Sequence, residues 1–174
     1  MTLDRTWFNA LVDDDGTNTV GTVWGKDDIN AFILTIDLVQ NGHCLCRTSA
    51  GTPIPNGLWT YIPAWDIRDA DPTSMYAGGG IVLAHVAGVY GIVANIFMDV
   101  NGVGTRYAAI AINGTPWPGY PPGEIPRADS QHIFRLHDVF KLAAGSQISV
   151  VVYQNSGGVL NVTEMSRLEV WRIS

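Results

Sequence analysis

Charge is scarce in this chain: Asp, Glu, Lys and Arg make up 15% of its 174 residues, against about a quarter in an ordinary globular domain. So little charge leaves apolar surface for partner subunits to cover. The ten Lys and Arg are the scarcer sign, and no two lie closer than five positions. Without a basic stripe to neutralise phosphates, neither nucleic acid nor an anionic membrane is an expected partner. Cysteine is nearly absent. Cys44 and Cys46 lie too close in sequence for an unstrained bridge, which excludes a disulfide framework and makes a reducing cytosol the expected place of synthesis. The opening MTLDRTWFNALVDDDG has no basic patch followed by an apolar core, so no secretory signal is expected.

Catalytic and metal-binding patterns are missing too. There is no G-x-S-x-G elbow, and His85 and His132 lie in strand patterns where packed or hydrogen-bonded histidines are the commoner case. His137 and Asp138 are neighbours on one strand and point to opposite faces. No enzyme activity and no catalytic residue are expected. Asp13, Asp14 and Asp15 invite a calcium reading, but an EF-hand loop counted from Asp13 has Asn18 at its sixth position and Trp24 at its twelfth, where Gly and Glu are required. His43, Cys44 and Cys46 lack the two-residue spacing between zinc-binding thiols. They are expected to be reduced thiols at the surface or at an interface, with no metal and no cofactor.

What the chain has in quantity is apolar residues, at 47%, with nineteen Gly and nine Pro spread along its length. That mixture points to many short strands and turns. The run MYAGGGIVLAHVAGVYGIVANIFMDV at residues 75–100 has the length of a membrane span. Glycines 78–80, 88 and 91 interrupt it, and no basic cluster flanks it, so buried sheet is expected rather than membrane insertion. Further strands are expected at 58–67, 81–87, 90–98, 106–112, 132–140, 147–153 and 167–173, each bounded by Gly, Pro, Asn or Asp. The fold class that follows is all-β: a sandwich or barrel.

The N-terminal part reads differently. Residues 1–37 hold seven Asp against Arg5 and Lys26, which accounts for −5 of the net −6. Ile29, Phe32, Ile33 and Ile36 fall at helical spacing between a capping Asp27 or Asp28 and Gly42, so a short helix is expected over 28–41. RTSAGTPIPNG at 47–57 reads as a linker. The expected organisation is therefore an attachment arm at 1–54 and a head domain at 55–174. In the head, TPWPGYPPGEIP at 115–126 holds Trp117 and Tyr120 between prolines. Rings displayed on a stiffened loop suit the apolar faces of sugars, with Arg127, Asp129 or Gln131 supplying hydrogen bonds. The same loop packed on a neighbouring subunit is an equal alternative.

Four runs, AHVAGVYGIVANIFM, RYAAIAING, FRLHDVFKLAAGSQISVVVYQNSGG and SRLEVWRIS, resemble the globular head of complement first component and its tumour-necrosis-factor-like relatives. The likeness covers residues 58–174. It implies a ten-stranded or similar jelly-roll β-sandwich with a short N-terminal helix or arm, assembled as a homotrimer. The family's collagen stalk is not implied, since no Gly-X-Y repeat occurs. WFNALVDDDGTNTVGTVWGKDDINAFI is similar to segments that precede receptor-binding heads in bacteriophage tail and fibre proteins. Together the two resemblances imply a phage virion protein made in the host cytoplasm. Its arm, through Trp7, Phe8, Asp13, Asp14, Asp15 and Trp24, would meet other virion proteins, and its head would bind a host surface glycan or protein. The alternative is a capsid decoration or fibre adaptor with a purely structural role.

Overall fold

The computed structural model describes residues 42–116 and 131–174. Thirteen strands form two antiparallel sheets, and no helix occurs among the described residues. The first sheet contains β1 (His43–Arg47), β2 (Thr52–Ile54), β4 (Ile67–Ala70), β7 (Gly88–Met98), β10 (His132–Leu142), β12 (Leu160–Val162) and β13 (Arg167–Arg172). The second contains β3 (Thr60–Tyr61), β5 (Tyr76–Gly78), β6 (Ile81–Ala84), β8 (Arg106–Ile112), β9 (Thr115–Pro116) and β11 (Ser146–Gln154).

The thirteen segments fill ten lateral positions. β10 takes one edge of β7 along its whole length, while β13 and β12 share the other edge in succession. β1 and β2 then follow the far side of that pair, and β4 closes the sheet. In the second sheet β6 and β3 share the edge of β11 that β8 does not occupy. The result is two five-position layers, the jelly-roll sandwich expected from the sequence.

Alternation explains why these strands pair as they do. Along β7, Tyr90, Ile92, Ala94, Ile96 and Met98 are buried between the layers and the intervening residues face outward. They meet Ile148, Val150 and Val152 of β11 and Ala108 and Ile110 of β8 in one continuous core, with Trp65 and Ile62 also inside it. Each such side chain taken from water contributes up to about 1.5–3 kcal/mol. Asn113 and Gly114, at φ +51° and +77°, form the two-residue turn between β8 and β9, where both central residues must be left-handed. The Asn113 side-chain oxygen also accepts from the Gln147 amide at 2.8 Å, tying the turn to β11.

Three expectations are corrected. The boundary near residue 55 moves toward the N-terminus: β1 and β2 are integral to the first sheet, and the stretch read as a linker contains β2. The single strand expected over 58–67 is two strands, because the interruption contains Pro63, which lacks a donor for the ladder. The cysteines are not at the surface: Cys44 and Cys46 are fully buried and free. His43, Leu45 and Arg47 take the opposite face, so the alternation that hides the thiols also separates them from the histidine. The helix expected over 28–41 lies outside the described residues.

A hydrogen bond from the Cys46 thiol to Cys44, followed by burial, raises the Cys46 pKa far above the ordinary thiol range. The reactive species is the thiolate. An aromatic disulfide reagent is therefore expected to leave both thiols unlabelled in the native protein and to label two per chain after denaturation, as read by absorbance.

Candidate functional site

The outward face of the second sheet carries an aromatic platform. β8 and β11 pair with Tyr107 opposite Tyr153 and Ala109 opposite Val151, and β3 places Tyr61 beside Val151 on the other edge. Residues two apart share a face, so Trp59 joins Tyr61, Tyr153 and Tyr107 on the outside. The Trp59 ring lies 5.4 Å from that of Tyr153 and 6.0 Å from that of Tyr107, and the two tyrosines are 5.8 Å apart, edge to face.

The platform is held by rigid elements. Ala109, Ala111 and Val151 form a second buried cluster beside it, and small side chains there leave the larger rings standing above the sheet. The Tyr61 hydroxyl donates to the Gly114 carbonyl at 2.8 Å, fixing its ring against the β8–β9 turn. Trp59 is 47% exposed and Leu58 59%. Both lie just before β3, and large apolar side chains so exposed beside paired strands mark a candidate binding surface. Aromatic faces beside phenolic hydroxyls suit a ligand with both C–H faces and hydroxyl groups.

The first sheet presents a different outer face. Trp171 lies over Gly91, where an added Cβ would come within 2.9 Å of the indole nitrogen. Val89 and Val93 of β7 flank it and Val139 of β10, 58% exposed, lies opposite Gly91, while Phe97 and Ile133 pair farther along the same face. Arg135, His137 and Lys141 alternate with these on β10. His43 and Glu169 pair at 3.1 Å across β1 and β13.

Of the binding residues expected from sequence, Trp117, Tyr120, Arg127 and Asp129 lie outside the described residues. Gln131 is exposed immediately before β10 of the first sheet, on the opposite layer from the platform. The attachment residues Trp7, Phe8, Asp13, Asp14, Asp15 and Trp24 also lie outside. β9 pairs with β8 through Pro116 and Ala111, at the edge of the sheet that bears the platform. The sequence reading missed Trp59, Tyr107 and Tyr153. Their alternation with core residues was visible, but their meeting depends on pairing between distant strands. His132 is buried edge-on to Phe134 at 4.4 Å, and His85 is exposed with its ring nitrogen 3.2 Å from the Ser74 carbonyl oxygen. Among the described residues no three His, Cys, Asp or Glu are grouped to hold a metal, and no helix is long and apolar enough to cross a membrane.

No family model matches the sequence, and no curated protein matches it. Among solved structures, the globular domain of zebrafish complement 1qA protein is similar to 76% of this chain and 98% of its own length, with a TM-score of 0.56 and 10% sequence identity. At that identity the likeness is one of fold, and it agrees with the jelly roll expected from the sequence.

Proposed function

We propose that this chain is a bacteriophage virion protein, of a tail or short fibre, whose head forms a homotrimer and binds a carbohydrate on the host surface without cleaving it. The carrying observation is the platform of Tyr107 and Tyr153, on the paired strands β8 and β11, with the Trp59 ring packed against both just before β3. Its preorganised rings have little side-chain freedom to lose on stacking against a sugar. The virion assignment is supported by the resemblance of residues 7–33 to segments preceding phage receptor-binding heads. Trimer formation is supported by the shared fold and by the outward stripe of Val89, Val93, Phe97, Val139 and Trp171 on the first sheet.

Binding of the labelled protein to host cells tests the reading. Trp59→Ala with Tyr153→Ala is expected to lower cell binding at least about tenfold, since each lost stacking contact is worth on the order of 1 kcal/mol. Unchanged binding would refute the platform as the receptor site. Release of reducing ends from host polysaccharide would refute the non-enzymatic reading.

The outward stripe also favours a second reading, a capsid decoration or fibre adaptor whose contacts are all with virion proteins. In that case the wild-type protein does not bind cells but is retained on particles. In either reading, Val139→Glu with Trp171→Glu is expected to convert a trimer into monomers in sedimentation equilibrium, because it would bury two carboxylates in place of apolar side chains.

A further inference from the structure

We infer that a groove on the first sheet, between β1, β4 and the turn from β12 into β13, binds the carboxylated ring of an acidic sugar, of the uronate class. The groove has a volume of about 440 Å³, within the range of small-molecule sites. It lies on the opposite layer from the aromatic platform. The inference rests on the glycan-binding reading for the ligand's general class, but not on the platform.

The charge arrangement carries the argument. Arg47 of β1 and Arg167 of β13 are directly opposite in the antiparallel ladder, and both face outward into the groove. Like charges so placed repel across the pair. One of them is held: the Arg47 Nε–H donates to the two oxygens of Asp69 at 3.1 and 3.4 Å. That contact uses the Nε side of the guanidinium and leaves its terminal amino groups without a hydrogen bond to the described residues. The Arg167 side chain makes neither a hydrogen bond nor an ion pair with them. Two adjacent guanidiniums with unused donors form a fork suited to a carboxylate.

The remaining lining selects among anions. Asp69 and Glu164 also border the groove. Their carboxylates would repel a dianionic phosphate, yet they accept hydrogen bonds from sugar hydroxyls. Leu45, Ile67 and the 54% exposed Met165 add apolar surface for the carbon face of a ring. A singly charged ring rich in hydroxyls satisfies all three kinds of group together.

The test is calorimetric titration of the full chain with a polyglucuronate hexasaccharide and with the same hexasaccharide after carboxyl reduction. The acidic form is expected to bind at least about tenfold tighter, the scale of a charge-assisted pair. Arg167→Gln, an exposed substitution whose folding is checked by an unchanged unfolding midpoint, is expected to abolish that preference. Trp59→Ala with Tyr153→Ala is expected to keep it, as is Arg68→Gln, which alters charge outside the groove. Equal binding of the two oligosaccharides, or no binding of the acidic one, overturns the inference. So does a preference that survives Arg167→Gln, or one that Arg68→Gln removes as fully. If neutral and acidic forms bind equally and both depend on Trp59, the groove assignment fails while the platform reading stands.

Discussion

Gly80→Val is expected to leave the domain largely unfolded at room temperature in mild denaturant, with a loss of about 3–5 kcal/mol. Gly80 sits at φ +81° in the turn between β5 and β6, a conformation that costs a β-branched residue about 1–3 kcal/mol. Any Cβ there would also be driven into the Ile62 carbonyl oxygen, with the carbonyl carbon at 3.0 Å and the Pro63 Cα at 3.2 Å. All three are backbone atoms, so no side chain can swing aside, and the overlap adds a cost of the overpacking kind. Gly79→Asn is the matched control. Its φ is +59°, a value Asn tolerates, and nothing lies within 4 Å of the added Cβ. Its loss is expected to stay below about 1 kcal/mol. Urea unfolding of both variants by tryptophan fluorescence separates the close approach from a general intolerance of the turn.

Arg106→Met is expected to stabilise the head, by about 1–4 kcal/mol. Arg106 is fully buried at the start of β8. Its Nη2 donates to the Asn101 carbonyl at 2.6 Å, while Nε and Nη1 have no hydrogen-bond partner among the described residues. Gln154, directly opposite on β11 and equally buried, gives no relief. Its amide nitrogen donates to the Ile54 and Gly158 carbonyls, and its oxygen accepts from the amide and hydroxyl of Ser156. A charged group with two orphaned donors costs more than its one hydrogen bond returns, and Met fills similar space without the charge.

Burial lowers the Arg106 pKa, so the unfolded chain binds this proton more tightly than the native one. The penalty is fully present at neutral pH and is relieved only in strong alkali. Arg106→Met should therefore gain the same stability at pH 6 and pH 8. A Met variant less stable than the parent in urea would show that the guanidinium is satisfied in the native state.

The fold was legible where strands are long. β7, β10 and β13 announce themselves through alternation, because a half-buried strand has to alternate, and β8 and β11 through short apolar runs closed by an Asn-Gly or glycine turn. The short strands were not. HCLCR alternates as cleanly as β7, but over five residues beside a Gly/Pro stretch, and its partner β13 lies at the far end of the sequence. Nothing local distinguishes such a segment from a linker. Pro63 should have divided the strand expected over 58–67, since proline interrupts a ladder whatever flanks it.

The candidate sites were less legible for the same reason. Tyr107 and Tyr153 meet only because β8 pairs with β11, and Arg47 meets Arg167 only because β1 pairs with β13. Local pattern fixes which face a residue takes but not which residue stands opposite. The loop aromatics Trp117 and Tyr120 drew attention because prolines mark them in the sequence, whereas Trp59 carries no such mark.

The pairing of β1 with β13 also sets a schedule. Cys46 donates to the Leu168 carbonyl, made 122 residues later. At ribosomal speeds of roughly 5–20 residues per second, the partner strand arrives about 6–25 s after the first. During that interval the edge of β1 that β13 will cover stays open and the Cys46 thiol lacks its carbonyl acceptor. Chaperone occupancy and oxidative damage during synthesis should therefore concentrate on residues 43–47, a vulnerability that ends once β13 has left the ribosome and paired with β1.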